Sequence, residues 1–292
     1  MKYCYYHNDS DGKCSAAIVK QEYSDTNVVF IPIGNSSISD PNLSKIKDEE
    51  DEVIIVDLSF PKDVYEKIKN KTKNITWIDH HKSTIDNIAP IIDKDIHCIF
   101  KSSEGAACML TWNCYKVGKP PQVVELISNY DEWKYKYGDK TMLFHIGSSM
   151  FDLNPESSVW ELLLDTSQKS RRDSKMFIDN VCTMGHTVLK YQESKVYDFI
   201  FNCSFFINLQ GFRFLAINTD NSNAALRKLN IQKFKIDADG VVLFYKQKVK
   251  WVVFLYTDKE SVDVSSIAKN YGGGGHRSAA GFSTKKFPFW DE

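Results

Sequence analysis

Val53-Ile54-Ile55-Val56-Asp57 and Ile75-Thr76-Trp77-Ile78-Asp79-His80-His81 repeat one arrangement, an apolar strand-like run that ends on an acidic or imidazole side chain. Four consecutive β-branched residues with no polar alternation suit a strand buried on both faces, and such strands belong to parallel sheets covered by helices. Open α/β sheets bind ligands beyond the carboxyl ends of their strands. Asp57 and Asp79-His80-His81 are therefore delivered to one functional edge.

Working outward, Tyr3 to Tyr6 forms a further strand-like run, and it is followed by a third cluster, His7-Asn8-Asp9-Ser10-Asp11-Gly12. Val28 to Ile33 and Ile96 to Phe100 add strands, while Ser15 to Tyr23 and Pro61 to Asn70 have helical patterning. Alternation of strand and helix predicts a mostly parallel sheet. The chain then turns helical. Glu104 to Val117, with Ser102 or Ser103 as cap, and Pro121 to Trp133 carry helical spacing, and Asp131 stands near the end of the second. Stretches at Val159 to Leu164 and Lys175 to Ile200 predict a helical connector.

Beyond it, Phe212 to Ile217, Val241 to Tyr245 and Trp251 to Tyr256 read as strands, with helices at Ala224 to Leu229 and Val264 to Asn270. The expected fold class is α/β: a parallel-sheet N-terminal domain over 1–155, a helical connector over 156–203, and a smaller mixed α/β C-terminal domain over 204–292. At 292 residues, two domains are the ordinary expectation.

With 37 Lys+Arg against 38 Asp+Glu, the chain lacks the positive field that holds long duplex DNA. A short single-stranded anion remains a suitable partner. Seven cysteines without a CxxC pair indicate neither a disulfide framework nor a zinc knuckle, which fits a reducing cytoplasm. No apolar run approaches the ~20 residues needed to span a bilayer, so neither membrane insertion nor secretion is expected.

His7, Asp9 and Asp11 alternate, so on an extended backbone they share one face, and Gly12 would then let the chain turn into a helix. An Asp-rich turn that caps a helix is the competing explanation. A calcium loop is excluded, because aligning Gly12 with its invariant glycine places Ile18 where the closing Glu belongs. Asp57 alone could cap the helix that follows Pro61. Three such clusters at strand ends point instead to metal ligands. Oxygen-rich ligands with one or two imidazoles suit Mn²⁺, with Mg²⁺ as the alternative, better than zinc. Two ions bridged by a carboxylate would activate a water for attack on a phosphoester.

Near the C-terminus, Gly272-Gly273-Gly274-Gly275-His276-Arg277 follows a helix, which excludes a P-loop. Its backbone N–H groups, with His276 and Arg277, are suited to holding an anion; a C-cap and tight turn is the competing explanation.

Taken in order, these residues resemble the DHH phosphoesterases, named for the motif present as Asp79-His80-His81, with the associated C-terminal domain marked by Gly272 to Gly281. Within that family the chain looks most like the nanoRNase and oligonucleotide exonuclease branch. The resemblance implies that His7, Asp9, Asp11, Asp57, His80 and Asp131 hold two Mn²⁺ ions, with Asp57 as the bridge. It implies that His81 faces the scissile phosphate, that Asp79 orients a histidine, and that Gly273, Gly274, Gly275, His276 and Arg277 grip a substrate phosphate. The activity implied is release of mononucleotides from short single-stranded oligonucleotides, and a homodimer is compatible with it. The alternative substrates are a 3′-phosphorylated nucleotide, a cyclic or linear dinucleotide, pyrophosphate or polyphosphate. A binding protein without turnover is a third reading. One departure is visible: many relatives carry Ser-x-Arg-Ser where this chain reads Phe254-Leu255-Tyr256-Thr257, leaving Arg277 or Arg213 as substitutes. Trp112, Trp133 and Tyr135 are candidates to stack on bases.

Overall fold

The computed structural model describes residues 1–34, 37–220, 226 and 236–289. The chain divides into two compact units, Met1–His186 and Thr187–Glu292. The helix expected at Ala224 to Leu229 lies, apart from Leu226, outside the described residues, as does Trp290.

In the first unit, β1 (Lys2–His7), β2 (Val28–Ile33), β3 (Glu52–Val56), β4 (Ile75–Asp79) and β5 (His97–Phe100) form a wholly parallel sheet in the order β2-β1-β3-β4-β5. The expected α/β class is thus observed. Side-chain alternation divides the core between the two faces. Val53, Ile55 and Trp77 join Tyr65 and Ile68 of α2 (Lys62–Lys69). Ile54, Val56 and Ile78 meet Ala16 and Val19 of α1 (Ser10–Glu22) and Leu110 of α4 (Ala107–Tyr115). Between these lies α3 (Lys82–Asn87). A helical layer follows: α5 (Gln122–Asp131), α6 (Asp139–Ser148) and α7 (Val159–Leu164), packed with the first half of α8 (Gln168–Ser194) around Trp112, Leu126, Trp160 and Val181.

The second unit begins within α8 and continues through α9 (Val196–Cys203). Its sheet contains β6 (Ser204–Leu209), β7 (Phe212–Asn218), β8 (Gly240–Gln247), β9 (Lys250–Tyr256), β10 (Gly274–His276) and β11 (Ala279–Thr284), in the order β10-β11-β9-β8-β7-β6. Among the described residues of this sheet, only β7 and β8 pair in parallel. Helix α10 (Val264–Asn270) covers it, capped by Asp263, whose side chain accepts from the N–H groups of Ser265 and Ser266. Phe287 and Phe289 pack on this core. Among the described residues no helix is long and apolar enough to cross a membrane.

Three local expectations are corrected. The first helix starts at Ser10, so Asp9 is its N-cap and Asp11 lies in its first turn; the two carboxylates do not share an extended strand face with His7. Helix α4 starts at Ala107, and neither Ser102 nor Ser103 caps it. The glycine-rich segment is a strand: Gly274, Gly275 and His276 pair with Gly281, Ala280 and Ala279. A Cβ on Gly273 would stand 2.1 Å from the Gly281 carbonyl oxygen, and one on Gly275 would stand 2.6 Å from the Ala280 Cα. Close strand approach explains those two glycines.

Candidate metal centre

The sheet order reverses between β1 and β3, and His7 ends the first of these while Asp57 immediately follows the second. A crevice opens at such a switch point because the flanking connections leave in opposite directions. β4 adds Asp79, His80 and His81 beside it, and the last residue of α5 adds Asp131. Every metal ligand expected from the sequence is thus brought together within the first unit.

Among the described residues, ligand atoms fall into three overlapping groups, each within 4.8 Å: His7, Asp9 and Asp57; Asp11, His80 and Asp131; and Asp57, Asp79, His80 and His81. His80 Nε2 stands 3.3 Å from Asp131 Oδ2, 3.5 Å from Asp57 Oδ1 and 3.8 Å from Asp11 Oδ2. His7 Nδ1 lies 2.7 Å from Asp9 Oδ2 and 3.8 Å from Asp57 Oδ2. Asp57 therefore occupies the middle.

Asp57 is 2% exposed, and among the described residues neither of its carboxylate oxygens has a hydrogen-bond partner. Burial, followed by the charges of Asp11, Asp9, Asp131 and Asp79, pushes its carboxyl well above the usual range. Burial and the same acidic neighbours, Asp11 and Asp9, push Asp131 well up too. An unpartnered buried carboxylate among four others is costly, and a multivalent cation is the compensation that this donor set fits. Asp57 also has φ of 57°, a left-handed backbone that Asp tolerates better than most residues. The donors are carboxylate oxygens and imidazole nitrogens with no thiolate among them, which suits Mn²⁺ or Mg²⁺.

Two aspartates have additional structural partners. Asp11 accepts the backbone N–H groups of Ala107 and Cys108 at 2.8 Å each, so its carboxylate caps α4 from a distant part of the chain. Asp79 is fully buried and accepts from His81 Nδ1 at 2.7 Å, from the His80 N–H at 2.8 Å and from the Thr84 hydroxyl. Burial opposes its ionisation, yet the bond and charge from His81, with Thr84, hold it below the usual range. Burial likewise opposes protonation of His81, but Asp79 outweighs it and pushes the imidazole up to about 9. Asp79 thus fixes the His81 ring, and Thr84 fixes Asp79. Thr84 was missed in the sequence; its position five residues after Asp79, in the first turn of a helix, is the available signal.

Gly273 to Arg277 lie in the second unit and are not part of this cluster. The Arg277 guanidinium donates to the Glu260 carbonyl, while Arg213 pairs with Asp237 at 2.8 Å and lies over the Phe206 ring. Trp112 is 3% exposed, which removes it as a surface for bases. Trp133 and Tyr135 are half-buried and meet Tyr130, which itself stacks on His145 with centroids 3.6 Å apart.

A DHH domain from a member of a ribosomal-protein family shares the architecture with a TM-score of 0.56 at 17% identity, covering 96% of this chain and 82% of its own. The fold is that of DHH-domain proteins. An exopolyphosphatase-related protein from Bacteroides fragilis shares the DHH-type fold at a TM-score of 0.52 and 10% identity, covering 98% of this chain and 87% of its own. RecJ from Thermus thermophilus, in complex with Mn²⁺, gives 0.51 at 11% identity over 97% of this chain and 49% of RecJ. In sequence, an uncharacterised protein of Acanthamoeba polyphaga mimivirus is 26% identical over 257 residues, 82% of this chain and 54% of the relative. The chain thus spans about half the length of the curated relative that it matches. No protein-family model matches it.

Proposed function

We propose that the protein is a metal-dependent phosphoesterase that hydrolyses short single-stranded oligonucleotides to mononucleotides. The observation that carries this reading is Asp57: a buried carboxylate without a hydrogen-bond donor, at the switch point of the sheet, surrounded by Asp9, Asp11, Asp131 and three imidazoles. His7, Asp9, Asp11, Asp57, His80 and Asp131 would hold two Mn²⁺ ions, Asp57 contributing to both. Bound there, such ions lower the pKa of a coordinated water and neutralise charge developing on a phosphoryl group.

His81 has a separate role. Its Nδ1 is held by Asp79, so Nε2 is the ring atom turned away from that carboxylate, and a protonated ring donates from it to a phosphate oxygen. Thr84 and the N–H groups of residues 80 and 81 keep Asp79 in place while this happens. The C-terminal residues Gly273 to Arg277 would hold a further substrate phosphate, within a substrate domain assigned to 204–292. The alternative substrates, a small nucleotide or pyrophosphate, share the same metal chemistry, and the fold likeness to an exopolyphosphatase-related protein keeps the inorganic substrates in consideration.

An end-labelled oligonucleotide ladder incubated with Mn²⁺ tests the reading. Stepwise release of mononucleotides from dimers to pentamers, lost in Asp57→Ala, is the expected result. Intact oligomers beside hydrolysed nucleotide bisphosphate or pyrophosphate would overturn the oligonucleotide assignment, and no hydrolysis of any of these would overturn the enzyme.

A further inference from the structure

Helix α4 begins at Ala107 without a cap of its own, because its N-cap residue, Ala106, has no side-chain acceptor to offer. The leading N–H groups of a helix need acceptors, and here they find them on two other helices. The N–H groups of Ala107 and Cys108 donate to Asp11 of α1 at 2.8 Å each, and that of Ala106 donates to the Ser128 hydroxyl of α5 at 3.0 Å. Ala106 and Ala107 are fully buried and Ser128 is 2% exposed, so solvent offers no replacement for either acceptor.

Ser128 is committed to this contact from both sides. Its hydroxyl donates to Glu132 Oε2 at 3.3 Å, which leaves the oxygen lone pairs to the Ala106 N–H. Glu132 is itself held by Lys134 at 2.7 Å. Gly105 lets the chain come this close: its φ is 118°, and a Cβ there would stand 2.7 Å from the Met109 Cβ and 3.3 Å from the Ser128 Oγ. One turn after Ser128 stands Asp131, the last residue of α5, and residues so spaced are neighbours on a helix surface. The start of α4 therefore joins the two elements that carry Asp11 and Asp131. His80 Nε2 lies 3.8 Å from the first of these carboxylates and 3.3 Å from the second.

Helix ends fray, so the place of a ligand on the last residue of a helix depends on what anchors that turn. We infer that Ser128 is a positioning residue for the metal group of Asp11, His80 and Asp131: it ties the last turn of α5 to the helix that Asp11 caps, and so fixes the separation of the two carboxylates before an ion arrives. His7, Asp9 and Asp57 belong to the end of β1, the cap of α1 and the turn after β3, so one ion of the proposed pair depends on Ser128 and the other does not. This inference rests on the two-ion reading of the site and adds the residue that sets one half of it.

Calorimetric titration of Mn²⁺ into the full chain, stripped with EDTA and dialysed, tests it with wild type, Ser128→Ala, Asp131→Asn and the double variant. Wild type should take up two ions. Ser128→Ala should bind one ion as wild type does and the second about 10- to 100-fold more weakly, the usual cost of losing an outer partner of a ligand. In the Asp131→Asn background, Ser128→Ala should have no further effect on Mn²⁺, because the ligand that it positions is gone. Ser128→Cys keeps the shape with a weaker acceptor and should give a smaller selective weakening, which carries the test where the alanine variant does not fold. Unchanged uptake of both ions, equal weakening of both, or a further loss in the Asp131→Asn background would each overturn the positioning role. A wild-type chain that takes up fewer than two ions would instead overturn the two-ion centre. One that takes up two, shows the selective loss, and hydrolyses neither the dinucleotide pApA nor pyrophosphate would support the positioning role and overturn the enzyme.

Discussion

The Asp11 Oδ1 atom accepts the backbone N–H of Cys108 at 2.8 Å, joining residues 97 positions apart. Its second oxygen accepts from Ala107, so one carboxylate both caps α4 and faces His80. Asparagine at this position offers one acceptor and turns an NH₂ toward a backbone donor. Asp11→Asn should therefore lower stability by about 1–3 kcal/mol, measured by urea unfolding in EDTA. An unchanged midpoint would show that the cap contributes nothing.

Asp57 should behave in the opposite way. Its carboxyl is pushed well up by burial and by the neighbouring carboxylates. The folded protein therefore binds the proton more tightly than the unfolded chain, and that contribution is complete below the unfolded pKa of about 4 and is lost as pH rises through the folded value. In EDTA, wild-type stability should fall as pH rises from about 4, and Mn²⁺ should restore it. Asp57→Asn should reduce this pH dependence to the part that Asp131, raised by the same burial and charges, contributes; it should also gain about 1–3 kcal/mol near neutral pH without metal, and lose Mn²⁺ binding. A destabilised Asp57→Asn protein in EDTA would contradict the charge argument.

Much of this site was legible because its residues end strands, and strand ends can be placed from apolar runs such as Val53 to Val56. The parallel sheet and the convergence of His7, Asp57 and His80 follow from that, whereas Asp131, at the end of helix α5, was expected in the site only through the family resemblance. The strand face expected to be shared by His7, Asp9 and Asp11 was misread because the strand ends at His7 and the helix starts at Ser10, and nothing local shows that Asp9 caps its own helix while Asp11 caps α4. β10 read as a loop for a different reason. Glycine is depleted in strands, and the close approach that requires it at Gly273 and Gly275 depends on Gly281 and Ala280 of the facing strand. Partners distant in sequence, Cys108 in one case and Gly281 in the other, determine what local patterning leaves open.

Gly12 shows the same dependence on a tertiary contact. It lies within α1, where alanine is ordinarily better by up to ~1 kcal/mol. A Cβ here would stand 2.1 Å from the His7 carbonyl oxygen and 2.8 Å from its backbone nitrogen. The helix can adopt its position against the strand end only without that atom. Gly12→Ala should thus reverse the ordinary sign, costing about 1–3 kcal/mol as overpacking and weakening Mn²⁺ binding through displacement of His7. Thermal unfolding with and without Mn²⁺ reads both effects, and a stabilised variant would refute the steric account.

Thr84 tests the positioning of His81. Its hydroxyl reaches the Asp79 oxygen farther from the ring, and Asp79 holds the ring. Thr84→Val removes the hydroxyl at nearly constant volume. The expected result is a 10- to 100-fold fall in kcat with KM and Mn²⁺ stoichiometry unchanged, and recovery in Thr84→Ser. If valine and serine variants are equally impaired, the methyl packing matters and the hydroxyl does not.

The four glycines of the C-terminal segment separate structural from ligand-binding roles by their surroundings. At Gly273 and Gly275 an added Cβ meets backbone atoms of the facing strand, so alanine at either should destabilise the second unit. At Gly274 the same atom meets nothing within 4 Å, so the fold gives no reason for glycine there. Gly274→Ala should leave stability within about 0.5 kcal/mol of wild type, because it neither clashes nor buries a polar group. If backbone groups of this edge receive a substrate phosphate, the methyl group obstructs that approach, and KM for pApA should rise while kcat changes less. His276→Ala should raise KM in the same direction. Gly274→Ala and His276→Ala with wild-type KM would remove β10 from the substrate site and reduce its glycines to a requirement of strand packing.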